Sequence, residues 1–185
     1  MATPTTRTTE QTRNIVYIAL FAVLLAVCSW ISIPTAIPFS LQTLGVFLAV
    51  GLLGGRRGTL AVLVYILMGA VGIPVFSQFT GGVGILLGTT GGYIIGFLFS
   101  AFVMWAMEAA FGKKPWVLAL SMILGLIVCY AFGTAWFMVV YARTTGAIGL
   151  GTALTWCVVP YLIPDAVKIV LALFLCRRLS GLLKL

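Results

Sequence analysis

Six apolar runs, at about 15–33, 41–54, 58–73, 91–111, 116–141 and 157–176, occupy most of this chain, and its charged residues fall almost entirely at their ends. A helix that crosses a bilayer needs about 20 apolar residues, so the runs leave room for one membrane-embedded bundle and for no separate soluble domain. Composition agrees, because 62% hydrophobic and 8% charged residues cannot cover a soluble globule with polar surface. The bilayer is the solvent. The expected fold class is an all-α membrane protein, a bundle of six transmembrane helices. The second and third runs are short for a full crossing, which implies tilt, a thin region of the protein, or extension into neighbouring loops.

Two regions are expected. Residues 1–14, MATPTTRTTEQTRN, are polar and Thr-rich and lack the apolar core of a cleavable signal, which predicts a disordered cytoplasmic tail. Residues 15–185 form the transmembrane domain. Its orientation follows from charge: Arg7, Arg13, Arg56, Arg57, Lys113, Lys114, Arg177, Arg178 and Lys184 fall on one side, and Arg143 on the other. The positive-inside tendency makes the first side cytoplasmic. Both termini are then inside, the spans are even in number, and the outer connections are about 34–40, 74–90 and 142–156. The expected location is the cytoplasmic (inner) membrane. The formal net charge of +8 is accounted for at the span ends, so no nucleic-acid partner is expected.

Catalysis is disfavoured by what the chain lacks. It has no histidine, only three acids (Glu10, Glu108, Asp165), and four cysteines without CxxC spacing. That removes His-based triads, zinc hydrolase motifs and most acid–base chemistry. No enzyme activity, metal or cofactor is expected, and Cys28, Cys129, Cys157 and Cys176 read as small buried hydrophobes.

Against this background two charges stand out. If Arg177 marks the inner boundary, Lys168 and Asp165 lie roughly 14 and 18 Å up the last helix at 1.5 Å per residue, near the middle of a hydrocarbon layer about 30 Å thick. Charges at that depth cost at least a few kcal/mol and usually face a cavity or a partner. Spacing of i,i+3 puts both on one helical face. They form either an ion pair that fixes helix packing or the floor of an interior ligand site. Pro164, lacking an N–H, is expected to break the helix beside them.

Three weaker features accompany the pair. Gly81 to Tyr93 (GGVGILLGTTGGY) is glycine-dense and uncharged, and no Gly-Lys-Ser/Thr follows to make it a P-loop. Gly82, Gly91 and Gly92 allow close backbone approach to a ligand or to another helix, and Tyr93 can stack or hydrogen-bond. The stretch Ile37-Pro38-Phe39-Ser40-Leu41-Gln42-Thr43 opens the second helix with Ser40 as expected N-cap, and places Gln42 and Thr43 in an apolar run. Ala19, Ala22 and Ala26 give the first helix a small-residue face.

The stretches IPFSLQTLGVFLAVGLLGGRRGTLAVLVYILMGAVGIPVF, GGVGILLGTTGGYIIGF and IPDAVK, in this order, resemble the BioY biotin transporter family, the substrate-binding S components of energy-coupling factor transporters. The resemblance implies a six-helix bundle that captures biotin from outside for uptake, partnered by a transmembrane coupling protein and two ATP-binding-cassette ATPases. Biotin would be the transported substrate rather than a cofactor. The family's acid and lysine fall on Asp165 and Lys168, its Gly-Gly-Tyr on Gly91, Gly92 and Tyr93, and its Ala-xxx-Ala coupling face on Ala22 and Ala26. Where some members carry a basic residue after Gly-Gly-Tyr and an amide in the preceding loop, this chain has Ile94 and Thr80. The expected roles are Asp165 as acceptor for the ureido N–H groups, Lys168 as its counter-ion or as a reach toward the carboxylate, and Phe39 and Tyr93 beside the bicyclic ring. The competing readings are a self-sufficient secondary transporter and a purely structural subunit.

Overall fold

The computed structural model describes residues 4–35 and 37–181. Its elements are α1 (Pro4–Trp30), the two-residue strands β1 (Ser32–Ile33) and β2 (Phe39–Ser40), α2 (Gln42–Leu53), α3 (Gly55–Ala70), a short turn at Ser77–Phe79, α4 (Val83–Leu87), α5 (Gly91–Phe111), α6 (Pro115–Thr144), α7 (Leu150–Cys157) and α8 (Val159–Leu179). The protein is mostly helical. Four of the helices are long and apolar enough to cross a membrane, over Glu10–Trp30, Gly91–Phe111, Pro115–Thr144 and Val159–Leu179.

Helix α2 reaches only about 18 Å at 1.5 Å per residue, yet nine of its twelve residues are buried. Being apolar on all sides, it suits the middle of the bundle rather than its lipid face, and it is flanked there by α1, α3, α5 and α8. Gly54 separates α2 from α3 with φ +81°, a left-handed conformation that glycine adopts without steric cost. The returning α3 then crosses α2 so closely that a Cβ on Gly58 would stand 2.4 Å from the Val50 Cα. At the start of α3, the Gly55 N–H donates to the Glu108 carboxylate at 2.7 Å, so this acid satisfies a helix end that has no cap of its own.

Several boundaries differ from the expectation. Helix α1 extends back to Pro4, so it takes in most of the polar segment 1–14. A proline is well placed in the first turn of a helix, where its missing N–H has no intrahelical partner, and the Thr/Glu/Gln run behind it contains no breaker. Residues 1–3 and Lys184 lie outside the described residues. Ser40 does not cap α2. It belongs to β2 and Leu41 takes the N-cap position, although the Ser40 hydroxyl still accepts from the Gln42 N–H, the first of α2, at 3.4 Å while donating to Gln42 Oε1 at 2.8 Å. Helix α8 runs unbroken through Pro164, and the break falls at Val158, where φ −124° and ψ −54° separate α7 from α8. Pro160, in the first turn of α8, starts the new helix.

Candidate functional site: a polar floor under an apolar cavity

Helix α8 carries Asp165 and Lys168 on the face that packs against the N-terminal end of α2, and both side chains are buried, at 3% and 6% exposure. The Lys168 ammonium donates to Asp165 Oδ1 at 2.7 Å, to the Ser40 carbonyl at 2.7 Å and to Thr43 Oγ1 at 3.1 Å. It also lies 4.5 Å from the Phe39 ring centroid, a cation–π distance. Asp165 accepts further hydrogen bonds from Thr43 Oγ1 at 3.0 Å on Oδ1 and from the Tyr130 hydroxyl on Oδ2. The charges are therefore compensated and fully hydrogen-bonded, as burial demands.

Above this floor lies a cavity of about 220 Å³, to which Ile37, Gln42, Tyr93, Phe97, Tyr130 and Tyr161 contribute together with the pair. Gln42 is held on three sides: its Oε1 accepts from the Ser40 hydroxyl and, at 3.2 Å, from the Ser77 hydroxyl, while its Nε2 donates to the Tyr65 hydroxyl at 2.5 Å. Tyr93, at the start of α5, shares a hydrogen bond of 2.9 Å with Thr134 of α6. The rim is fixed by two anchors. Tyr161 donates to the Ile37 carbonyl and bonds Thr35 at 3.1 Å, which ties the α1–α2 loop to α8. On the other side Ser29 donates to the Val75 carbonyl at 2.5 Å, and the Trp30 indole N–H to the Pro74 carbonyl at 2.9 Å, tying the next loop to α1.

Of the residues singled out in the sequence, the structure brings Asp165, Lys168, Tyr93, Gln42 and Thr43 to the cavity wall. Phe39 stands one step behind, against Lys168 and stacked on Tyr161. The glycines do something else. A Cβ on Gly91 would fall 1.8 Å from the Leu86 carbonyl oxygen, and one on Gly92 2.3 Å from the Trp136 Cβ, so both exist for close packing at the start of α5. Trp136 then uses the space to donate to the Gly88 carbonyl at 3.0 Å. Gly82 binds back to the Gly69 carbonyl through its N–H, at 2.7 Å. Residues between these glycines, Ile85 and Thr90, line the cavity instead.

The alanines of α1 divide between two surroundings. Ala22 and Ala26 are buried, at 1% and 3% exposure, on the side of α1 that packs on α2 and α3 within the chain, and only Ala19 is exposed. A pair of small residues one turn apart draws in whichever helix is nearest, and here that helix is the chain's own. Tyr130, Tyr65, Ser77 and Tyr161 were not singled out. A hydroxyl-bearing Tyr130 in the uncharged middle of α6 was the available signal, since a buried phenol needs a partner.

A bundle of apolar helices that encloses a closed polar floor beneath an apolar chamber defines a membrane-embedded small-molecule-binding protein. The chain belongs to the BioY family, whose profile matches residues 2–184. It is 39% identical over 171 residues to the biotin transporter BioY of Thermotoga maritima, covering 92% of this chain and 97% of that protein. It is 37% identical over 170 residues to a probable biotin transporter BioY of Pyrococcus horikoshii, covering 91% and 97%. Among solved structures, it superimposes with a TM-score of 0.83, at 25% identity and over 98% of its length and 95% of the other chain, on the S-component for biotin from an ECF-type ABC transporter.

Proposed function

We propose that this protein captures biotin at the outer face of the cytoplasmic membrane, as the S component of an ECF-type transporter that partner ATPases energise. The observation that carries this reading is the buried Asp165–Lys168 pair under a cavity, in a fold matching an S-component for biotin. Asp165 is the acceptor for the ureido N–H groups, with Lys168 as its counter-ion at membrane depth. Tyr93, Phe97 and Ile94 surround the fused ring system, as mostly apolar ligand pockets require. Gln42 and Thr43 hold the floor in shape.

In this reading α1, α2, α3, α5, α6 and α8 are the six spans, and both termini are cytoplasmic. A cleft that gathers Gly54, Lys113, Lys114 and Arg177 at one end of the bundle supports that orientation, since positive charge favours the cytoplasmic side. The partners are a transmembrane coupling protein and two ATP-binding-cassette ATPases. The coupling protein docks on the exposed face of α1 that includes Ile15, Ala19, Leu20 and Val23, not on Ala22 and Ala26. The test is binding of labelled biotin to the purified protein: saturation at submicromolar concentration is expected, and no saturable binding there would reject the reading.

A further inference from the structure

The cavity contains one cation, and that cation is occupied. Among the described residues lining it, Lys168 is the only positively charged one and Asp165 the only acid. All three Lys168 N–H donors are used, on the Ser40 carbonyl, Thr43 and Asp165. A ligand that places N–H groups on Asp165 has its opposite end away from Lys168, because the two side chains are paired at one point of the floor. Apart from that pair the wall offers only neutral polar groups, among them Ser77, Gln78, Thr80 and Thr90, beside apolar ones such as Ile85 and Ile94. Arg143, in the last turn of α6, lies 13 residues beyond Tyr130, or roughly 20 Å along the helix. A five-carbon side chain does not bridge that distance.

An anion buried without a cation is costly, whereas a neutral carbonyl needs only the hydroxyl and amide donors present. We propose that this chain recognises biotin through its ring system and leaves the carboxylate unread, so that biotin derivatives with a neutral valerate end, amides and esters, are ligands of comparable affinity. This rests on the proposed biotin site and narrows its chemistry to a class of ligands. The Ser77 and Thr80 hydroxyls already donate, to Gln42 Oε1 and to the Ser77 carbonyl, and the Thr90 hydroxyl suits either form, because a hydroxyl donates equally to a carboxylate and to an amide carbonyl.

The experiment is displacement of labelled biotin from the purified full-length protein by biotin, biotinamide and biotin methyl ester, at fixed pH and ionic strength. The two neutral analogues are expected to compete within about fivefold of biotin, because no charge-assisted bond to the carboxylate is lost. A carboxylate gripped by a cation would make neutralisation cost on the order of ten- to a hundredfold, so a loss of more than about fivefold overturns the proposal. Arg143→Gln supplies the second arm: the ratio of biotinamide to biotin affinity stays unchanged, and a ratio that moves would show that the arginine reads the carboxylate. If labelled biotin itself does not bind, the site assignment fails. If biotin binds and the neutral analogues do not, this inference alone fails.

Discussion

Replacing Asp165 by Asn separates the two jobs that the buried pair performs. Asn keeps an oxygen for Lys168 and Thr43, and its amide can donate to the Tyr130 oxygen, so the shape of the floor survives. Two things are lost. The Lys168 ammonium, 6% exposed, no longer has a counter-ion, and breaking a buried pair from one side costs about 3–5 kcal/mol of stability. The ureido N–H groups would meet a neutral acceptor instead of an ionised one. The difference between a hydrogen bond to a charged group, about 1.5–3 kcal/mol, and a neutral one near 1 kcal/mol translates into roughly a two- to thirtyfold weaker biotin affinity. The second change that isolates the terms is Lys168→Met: in the double variant no charge is left unpaired, and the apolar stem still packs near Phe39. Thermal unfolding in detergent and biotin titration are measured on the wild type, both single variants and the double variant. Stability should fall in Asp165→Asn and recover in the double variant, while biotin affinity stays low in both. Recovery of affinity together with stability would refute Asp165 as a ligand and leave the pair a packing device.

Four further outcomes follow from particular contacts. Tyr130→Phe strips a donor from Asp165 in the empty protein, at a cost of about 1–3 kcal/mol for the acceptor left short; biotin restores a donor, so the melting-temperature rise on adding biotin should exceed that of the wild type, and an equal or smaller rise speaks against the ureido assignment. Gly91→Ala pushes a Cβ onto the Leu86 backbone, whereas nothing lies within 4 Å of a Cβ on Gly84; only the first should lose folded protein in size-exclusion chromatography. Ala22→Trp should unfold the bundle, since overpacking a filled core is destabilising. Ala19→Trp should leave biotin binding intact and reduce co-purification with the coupling protein, and undiminished co-purification would remove Ala19 from that interface.

What the sequence revealed depended on how unusual each signal was. Two charges in an uncharged run cannot be overlooked, and Gln42 and Thr43 in an apolar helix are nearly as conspicuous, so most of the floor was legible. Tyr130 was not, because a tyrosine in a membrane helix is as often an interfacial anchor as a buried donor, and only tertiary packing reveals that it meets Asp165. The glycines of the 81–93 segment were legible as close approach, but what approaches is Leu86 and Trp136, and a sequence does not say what fills the space that a missing Cβ leaves. Ala22 and Ala26 were legible as close approach in the same way, and what packs on them within the chain is α2 and α3. Pro164 misled because a proline inside a helix need not end it once neighbouring packing holds the backbone. The elements α4 and α7 and the β1–β2 pair are too short for any periodicity to show.

The two anchors at the rim divide the mouth of the cavity into two pieces. One piece, the α1–α2 loop with β2, is held by α8 through Tyr161 and Lys168. The other, around 74–80, is held by Ser29 and Trp30 of α1, with Phe79 stacked on Trp30 at 5.0 Å. Between residues 35–43 and 74–80, the side-chain hydrogen bond among the described residues is that of Ser77 to Gln42, at 3.2 Å. Prising either piece off its helix breaks several bonds at once, whereas parting them from each other breaks that one. Among the described residues, the side-chain hydrogen bonding across this seam thus comes down to a serine hydroxyl on the first residue of α2.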